Sequence, residues 1–130
     1  MGATVSEYKP HRHIIRGRRG DGVPATEVVF RFGFDGATID KSEWTALAQL
    51  RASRGADVVE HTYSITLRDT SDDAEILSSE LEVRLAQIPG SVSTTIAHDK
   101  LYGDIQLTKT GAEPITVVDL EVTLTEDVSR

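Results

Sequence analysis

The chain contains no cysteine. That absence excludes a disulfide framework, a cysteine nucleophile and any thiolate metal site, and leaves the compartment open. Large aromatics are scarce, with three phenylalanines, three tyrosines and one tryptophan in 130 residues. No apolar run approaches the roughly 18 residues that a membrane helix needs, and no basic-then-apolar leader opens the sequence. The expectation is a soluble protein, cytoplasmic or part of a virion. Motifs of catalysis are missing too: no G-x-S-x-G elbow, no G-x-x-x-x-G-K-[ST] loop, no G-x-G-x-x-G and no H-E-x-x-H. Histidine and carboxylates alone do not assemble a site, so the reading is a non-enzyme without cofactor or metal.

What the chain does have is an uneven charge distribution. The formal net charge is -7. Residues 1–20 carry Lys9, Arg12, Arg16, Arg18 and Arg19 against Glu7, while the remaining 110 residues carry 9 basic and 20 acidic side chains. A basic lead segment on an acidic body is the clearest functional hint in the sequence.

Residues 1–24 show neither helical nor strand periodicity and are punctuated by Pro10, Gly17, Gly20, Gly22 and Pro24. They read as an extended basic arm, with residues 25–130 as one domain. Arg12, Arg16, Arg18 and Arg19 are the candidate partner-binding residues. On a mobile arm they suit carboxylates of a neighbouring subunit through bidentate pairs. They also suit phosphates of a nucleic acid, although an acidic body opposes the latter. His11-x-His13 lacks a nearby carboxylate cluster and is a weak metal signal. Arg19-Gly20-Asp21 matches a cell-adhesion tripeptide at a length close to chance.

Within the body, Val28, Phe30, Phe32 and Phe34 alternate onto one strand face. Asp40 with Glu43 three residues later predicts a capped helix, with Trp44, Leu47, Ala48 and Leu50 as its apolar stripe and Gly55 as its stop. Asp57 to Asp69 predicts a long strand, with Val59, His61, Tyr63, Ile65 and Leu67 on one face. Ser71-Asp72-Asp73 then predicts the cap of a second helix bearing Leu77, Leu81, Leu85 and Ile88, ended by Pro89-Gly90. Val92, Thr94 and Ile96 predict a third strand. Asp104–Thr108 and Ile115–Thr125, around the turn 110–114, predict an antiparallel hairpin with one wet face.

The expected fold is therefore α+β: two helices on one face of a mixed sheet of about five strands, in the order β-α-β-α-β plus a C-terminal hairpin. Splitting 57–69 near His61-Thr62 gives the alternative β-α-β-β-α-β, a ferredoxin-like or ACT-like sandwich. The helix-Pro-Gly-strand passage from Leu77 to Ile96 resembles ACT-like regulatory domains, and no ligand residue is carried across. Outward Thr62, Ser64, Thr66, Thr116, Glu121 and Thr123 suit a face that is wet or pairs with another chain.

The functional expectation is a structural or assembly subunit that self-associates, of the kind found in a phage or virus-like particle, with the arm on a neighbouring subunit. A small-molecule-sensing ACT-like domain is the alternative, and arm-mediated nucleic-acid binding the third.

Overall fold

The computed structural model describes residues 11–126, and the first ten residues of the expected arm lie outside them. The architecture is two β-sheets sharing one core. Eight strands follow in chain order: β1 (His11–Arg18), β2 (Val28–Gly33), β3 (Trp44–Arg51), β4 (His61–Thr62), β5 (Ile65–Arg68), β6 (Glu80–Leu85), β7 (Lys100–Lys109) and β8 (Ile115–Thr125). One sheet has the order β1-β8-β7-β3-β4 and the other β2-β6-β5. All pairs are antiparallel except β1 with β8, which run parallel. Helical structure among the described residues is confined to a 3-10 turn, Lys41–Glu43, and a single α-turn, α1 (Gly90–Ser93).

The α+β expectation is thus corrected: the two packed helices are absent, and with them both the β-α-β-α-β order and the ACT-like alternative. Residues 44–51 form a strand. Trp44, Ala48 and Leu50 point inward while Leu47, expected on a buried helical stripe, is 47 % exposed. The capping signal at Asp40 is real but short-lived. Its carboxylate accepts from the Ser42 N–H, and the turn gives way to extended backbone at Trp44. The second expected helix fails for a similar reason. Leu81, Val83 and Leu85 are fully buried at alternate positions, and Leu77 is 62 % exposed. A period of two has won over a period near 3.6.

Residues 57–69 do not make one long strand. Tyr63 N–H donates to the Ala48 carbonyl and Ala86 N–H to the Ser64 carbonyl, so the chain leaves one sheet and joins the other between Thr62 and Ile65. The expected strand at 92–96 is instead α1 and the loop after it. The C-terminal hairpin is present as β7 and β8, with a register shift at Ile105/Gln106 that leaves Val117 and Val118 both buried.

The core lies between the inner faces. Val118, Leu120, Val122 and Leu124 of β8 meet Leu101, Ile105 and Leu107 of β7 in one sheet, and Leu81, Val83 and Leu85 of β6 close it from the other. Each such side chain contributes about 1.5–3 kcal/mol of burial. Phe34, just past the end of β2, packs tilted against Trp44 at 4.8 Å between ring centroids, tying the exit of β2 to the start of β3. No helix among the described residues is long and apolar enough to cross a membrane.

Candidate functional site

Four of the side chains singled out in the sequence lie on or beside β1, and the structure distributes them unequally. β1 lies at the margin of the five-stranded sheet, in register with β8 from His11↔Val118 to Arg18↔Thr125. Only Ile15 of this strand enters the core deeply. Arg12, Ile14, Arg16 and Arg18 occupy the opposite, outer face. Arg12 donates to the Glu121 carboxylate at 2.7 Å, its own side chain remaining 63 % exposed. Arg16 is exposed and has no ion-pair partner among the described residues.

Arg19 is different. It is 8 % exposed, donates from Nε to the Ile96 carbonyl at 2.9 Å, and from Nη2 to the His98 carbonyl at 2.7 Å and Asp99 at 3.0 Å. Its Nη1 reaches Glu126 at 2.9 Å. This guanidinium fastens the end of β1 to the 96–99 loop of its own chain, which also takes the arginine of the cell-adhesion tripeptide out of solvent while Gly20 and Asp21 stay exposed. Immediately downstream, Gly20 N–H donates to the Ser93 hydroxyl, and Val23, fully buried, exchanges backbone hydrogen bonds with Ile88.

The outer face of the five-stranded sheet continues beyond β1. Lys100 of β7 and Arg16 of β1 both pair in register with Thr123 of β8, so they flank it in one cross-sheet row. Arg51 and Arg54 lie toward the other margin, where Arg54 sits over the Tyr102 ring at 5.5 Å and 3.7 Å from Asp119. Against these stand Asp104, Asp119 and Glu121. Burial and the Asp119 charge push the Asp104 carboxyl above its ordinary value, against the pull of Arg54 and Arg51. The face is on balance basic. It also exposes Leu47 and Ile14 (38 %).

One end of the molecule is strongly acidic. Three loops are bound together there: Ile39 N–H donates to the Ser78 carbonyl, Lys41 N–H to the Asp69 carboxylate, and Thr110 N–H to the Glu43 carbonyl. Residues 35–43, 69–80 and 109–113 hold nine carboxylates against Lys41 and Lys109. Lys41 Nζ engages both oxygens of Asp72, at 2.6 and 2.8 Å. Hydrogen bonds from the Lys41 backbone and from Ser71 hold the Asp69 carboxyl below its ordinary value. Asp35, Glu43, Glu75, Glu80 and Glu113 have no ion-pair partner among the described residues.

On the outer face of the three-stranded sheet, Glu82 is fully buried beneath Arg31, Arg68 and Arg84. Burial alone would raise this carboxyl. Hydrogen bonds from Arg84 and Arg31 and the charges of Arg84 and Arg68 outweigh it, so the value falls below the ordinary one. Arg84 and Arg68 are themselves paired outward with Glu27 and Asp73. The network is charge-compensated and reads as structural.

The histidines do not gather. His13 packs edge-on to Phe30, His61 edge-on to Tyr63, and His98 lies 3.9 Å from Glu60. Among the described residues no group of three or more histidines and carboxylates is placed to hold a metal ion.

Lys100, Asp104 and Arg54 were not singled out in the sequence. Asp104 opens the strand expected from the sequence and Lys100 was reachable by extending its alternation upstream, whereas Arg54 sits in a loop with no periodic signal. In comparisons with known proteins, the chain matches no family model and no curated protein.

Proposed function

We propose that this protein is a non-enzymatic assembly subunit that self-associates, with the β1 margin of the five-stranded sheet as its contact surface. One observation carries the reading. β1 is an eight-residue edge strand whose outer edge is paired with nothing among the described residues, and it presents Arg12, Ile14 and Arg16 outward. A long open edge is a template for another chain, and monomers commonly blunt it by shortening or covering it. The opposite margin of the same sheet is blunted in that way, since β4 has only two residues. A phage or virus-like particle is the setting proposed, in keeping with the small size, the absent cysteine and the charge split of the sequence.

Residues 11–18 belong to the sheet, so it is the free edge and outer face of β1 that are offered to a neighbour. The test is light scattering on the intact chain over a wide concentration range at low and high salt. A defined oligomer that dissociates on dilution and weakens with salt supports assembly. A monomer at every concentration ends it.

A further inference from the structure

The charge layout says which part of a neighbour the basic face fits. We infer that the outer face of the five-stranded sheet, around Arg16 and Lys100, receives the acidic end of a second copy, making a heterologous, face-to-end contact. The inference rests on the assembly reading above and names the surface that it left open.

Three observations converge. First, Arg16 and Lys100 flank Thr123 in one row on an open sheet face. Strand spacing puts them roughly 10 Å apart. Both are exposed, and neither has an ion-pair partner among the described residues. Second, the acidic end carries Asp35, Glu43, Glu75, Glu80 and Glu113 without a cation among the described residues, on loops cross-tied by backbone hydrogen bonds. Those loops are braced, so the carboxylates are presented with little ordering left to do on binding. Third, the two surfaces lie on different parts of the molecule. β8 starts beside the acidic 109–113 turn and runs away from it, and the Arg16–Thr123–Lys100 row falls toward its far end.

A face meeting its own symmetry mate would set like charges against each other, since the face is on balance basic and the end acidic. Like-charge juxtaposition opposes that pairing, whereas face against end is complementary. A contact between two different patches of identical chains does not close on itself as a two-fold dimer. It propagates into a ring or an open chain.

The experiment uses two charge-reversed full-length chains. In one, the face carries Arg16→Glu with Lys100→Glu; in the other, the end carries Glu75→Lys with Glu113→Lys. All four positions are exposed, and near-ultraviolet circular dichroism with thermal melting checks that each chain folds. Each variant alone is expected to be monomeric where the unsubstituted chain is oligomeric. Mixed one to one, they are expected to associate again. The intact end of the first chain meets the intact face of the second, and the other contact, reversed on both sides, is complementary as well, so the two chains can alternate. A dimer or larger species in the mixture, absent from either component, is therefore the signature sought.

Oligomers that persist in both single variants overturn this inference and leave assembly standing. An unsubstituted chain that is monomeric throughout removes assembly itself. If only the face variant loses association, and the unsubstituted chain binds a fluorescent single-stranded oligonucleotide that this variant does not, the face serves a polyanion and the inference is likewise overturned.

Discussion

Asp104 and Asp119 face each other directly across the β7–β8 ladder, two like charges on one sheet face with Arg54 3.7 Å from Asp119. Like charges at directly opposed positions destabilise a sheet. Asp104→Asn is expected to raise stability at neutral pH by about 0.5 kcal/mol, within the range for cross-strand pairs. The pH dependence has a definite sign. Asp104 is raised in the fold, so its contribution is fully present below the unfolded value and is lost as pH rises through the folded one. Urea denaturation between pH 3.5 and 7 should show a smaller gain from the substitution at the acid end. A substitution that destabilises at pH 7 would mean that Asp104 makes a favourable contact.

Glu82 gives the opposite sign. Its carboxyl is held low, so the stability it confers is present above the unfolded value and lost as pH falls through the folded one. Glu82→Gln removes the charge on which Arg31, Arg68 and Arg84 converge. Breaking a buried pair costs ~3–5 kcal/mol, and because the three guanidinium groups reach water the expected loss lies at or below the lower end of that range. Chemical denaturation checks it, and a neutral outcome would show that the arginines repack without their anchor.

Tyr63 offers a case where deletion helps. Its hydroxyl is buried without a hydrogen-bond partner among the described residues, and burial pushes its ionisation well above the ordinary tyrosine range. An unsatisfied buried polar group costs about 1–3 kcal/mol. Tyr63→Phe keeps the ring against His61 and is expected to leave stability unchanged or raise it by up to about 1 kcal/mol. A clear fall in melting temperature would reveal a partner for the hydroxyl.

Arg19→Ala is expected to be costly. It withdraws donors from the Ile96 and His98 carbonyls and from two carboxylates, for a loss of about 2–3 kcal/mol. Arg19→Lys should recover only part, because an ammonium cannot reproduce the fork of a guanidinium. Equilibrium unfolding of both variants makes the comparison. Equal stability of all three chains would detach Arg19 from the fastening of β1.

The parts of this fold legible in the sequence are those where one strand face is buried and the other wet. β8 is the clearest, with Val118, Leu120, Val122 and Leu124 alternating against Asp119, Glu121 and Thr123. The segment 44–51 was ambiguous on its own terms. Trp44, Ala48 and Leu50 satisfy a helical stripe and a strand face alike, and only pairing with β7 decides between them. Helix-forming Ala, Leu and Gln were overridden by a tertiary partner. Asp40 and Ser71-Asp72-Asp73 signal turns as well as caps, and both are used here as turns.

β1 was invisible for another reason. It buries Ile15 and little else, so no alternation marks it, and its partner lies at the other end of the sequence. The arginines around it were legible as a basic cluster. That Arg19 is buried in its own chain while Arg16 stands free among the described residues needs the three-dimensional placement.

The pairing of β1 with β8 has a consequence for biosynthesis. Arg12 and its partner Glu121 are 109 residues apart in the chain. At a translation rate of about 5–20 residues per second, β1 emerges roughly 5–20 s before the strand that receives it. Through that interval it is a lone basic segment, and β8, once made, is a freshly exposed apolar edge. The ladder between β1 and β8 cannot form before β8 is made, so a crowded polysome offers β8 the β1 of a neighbouring nascent chain in competition with its own.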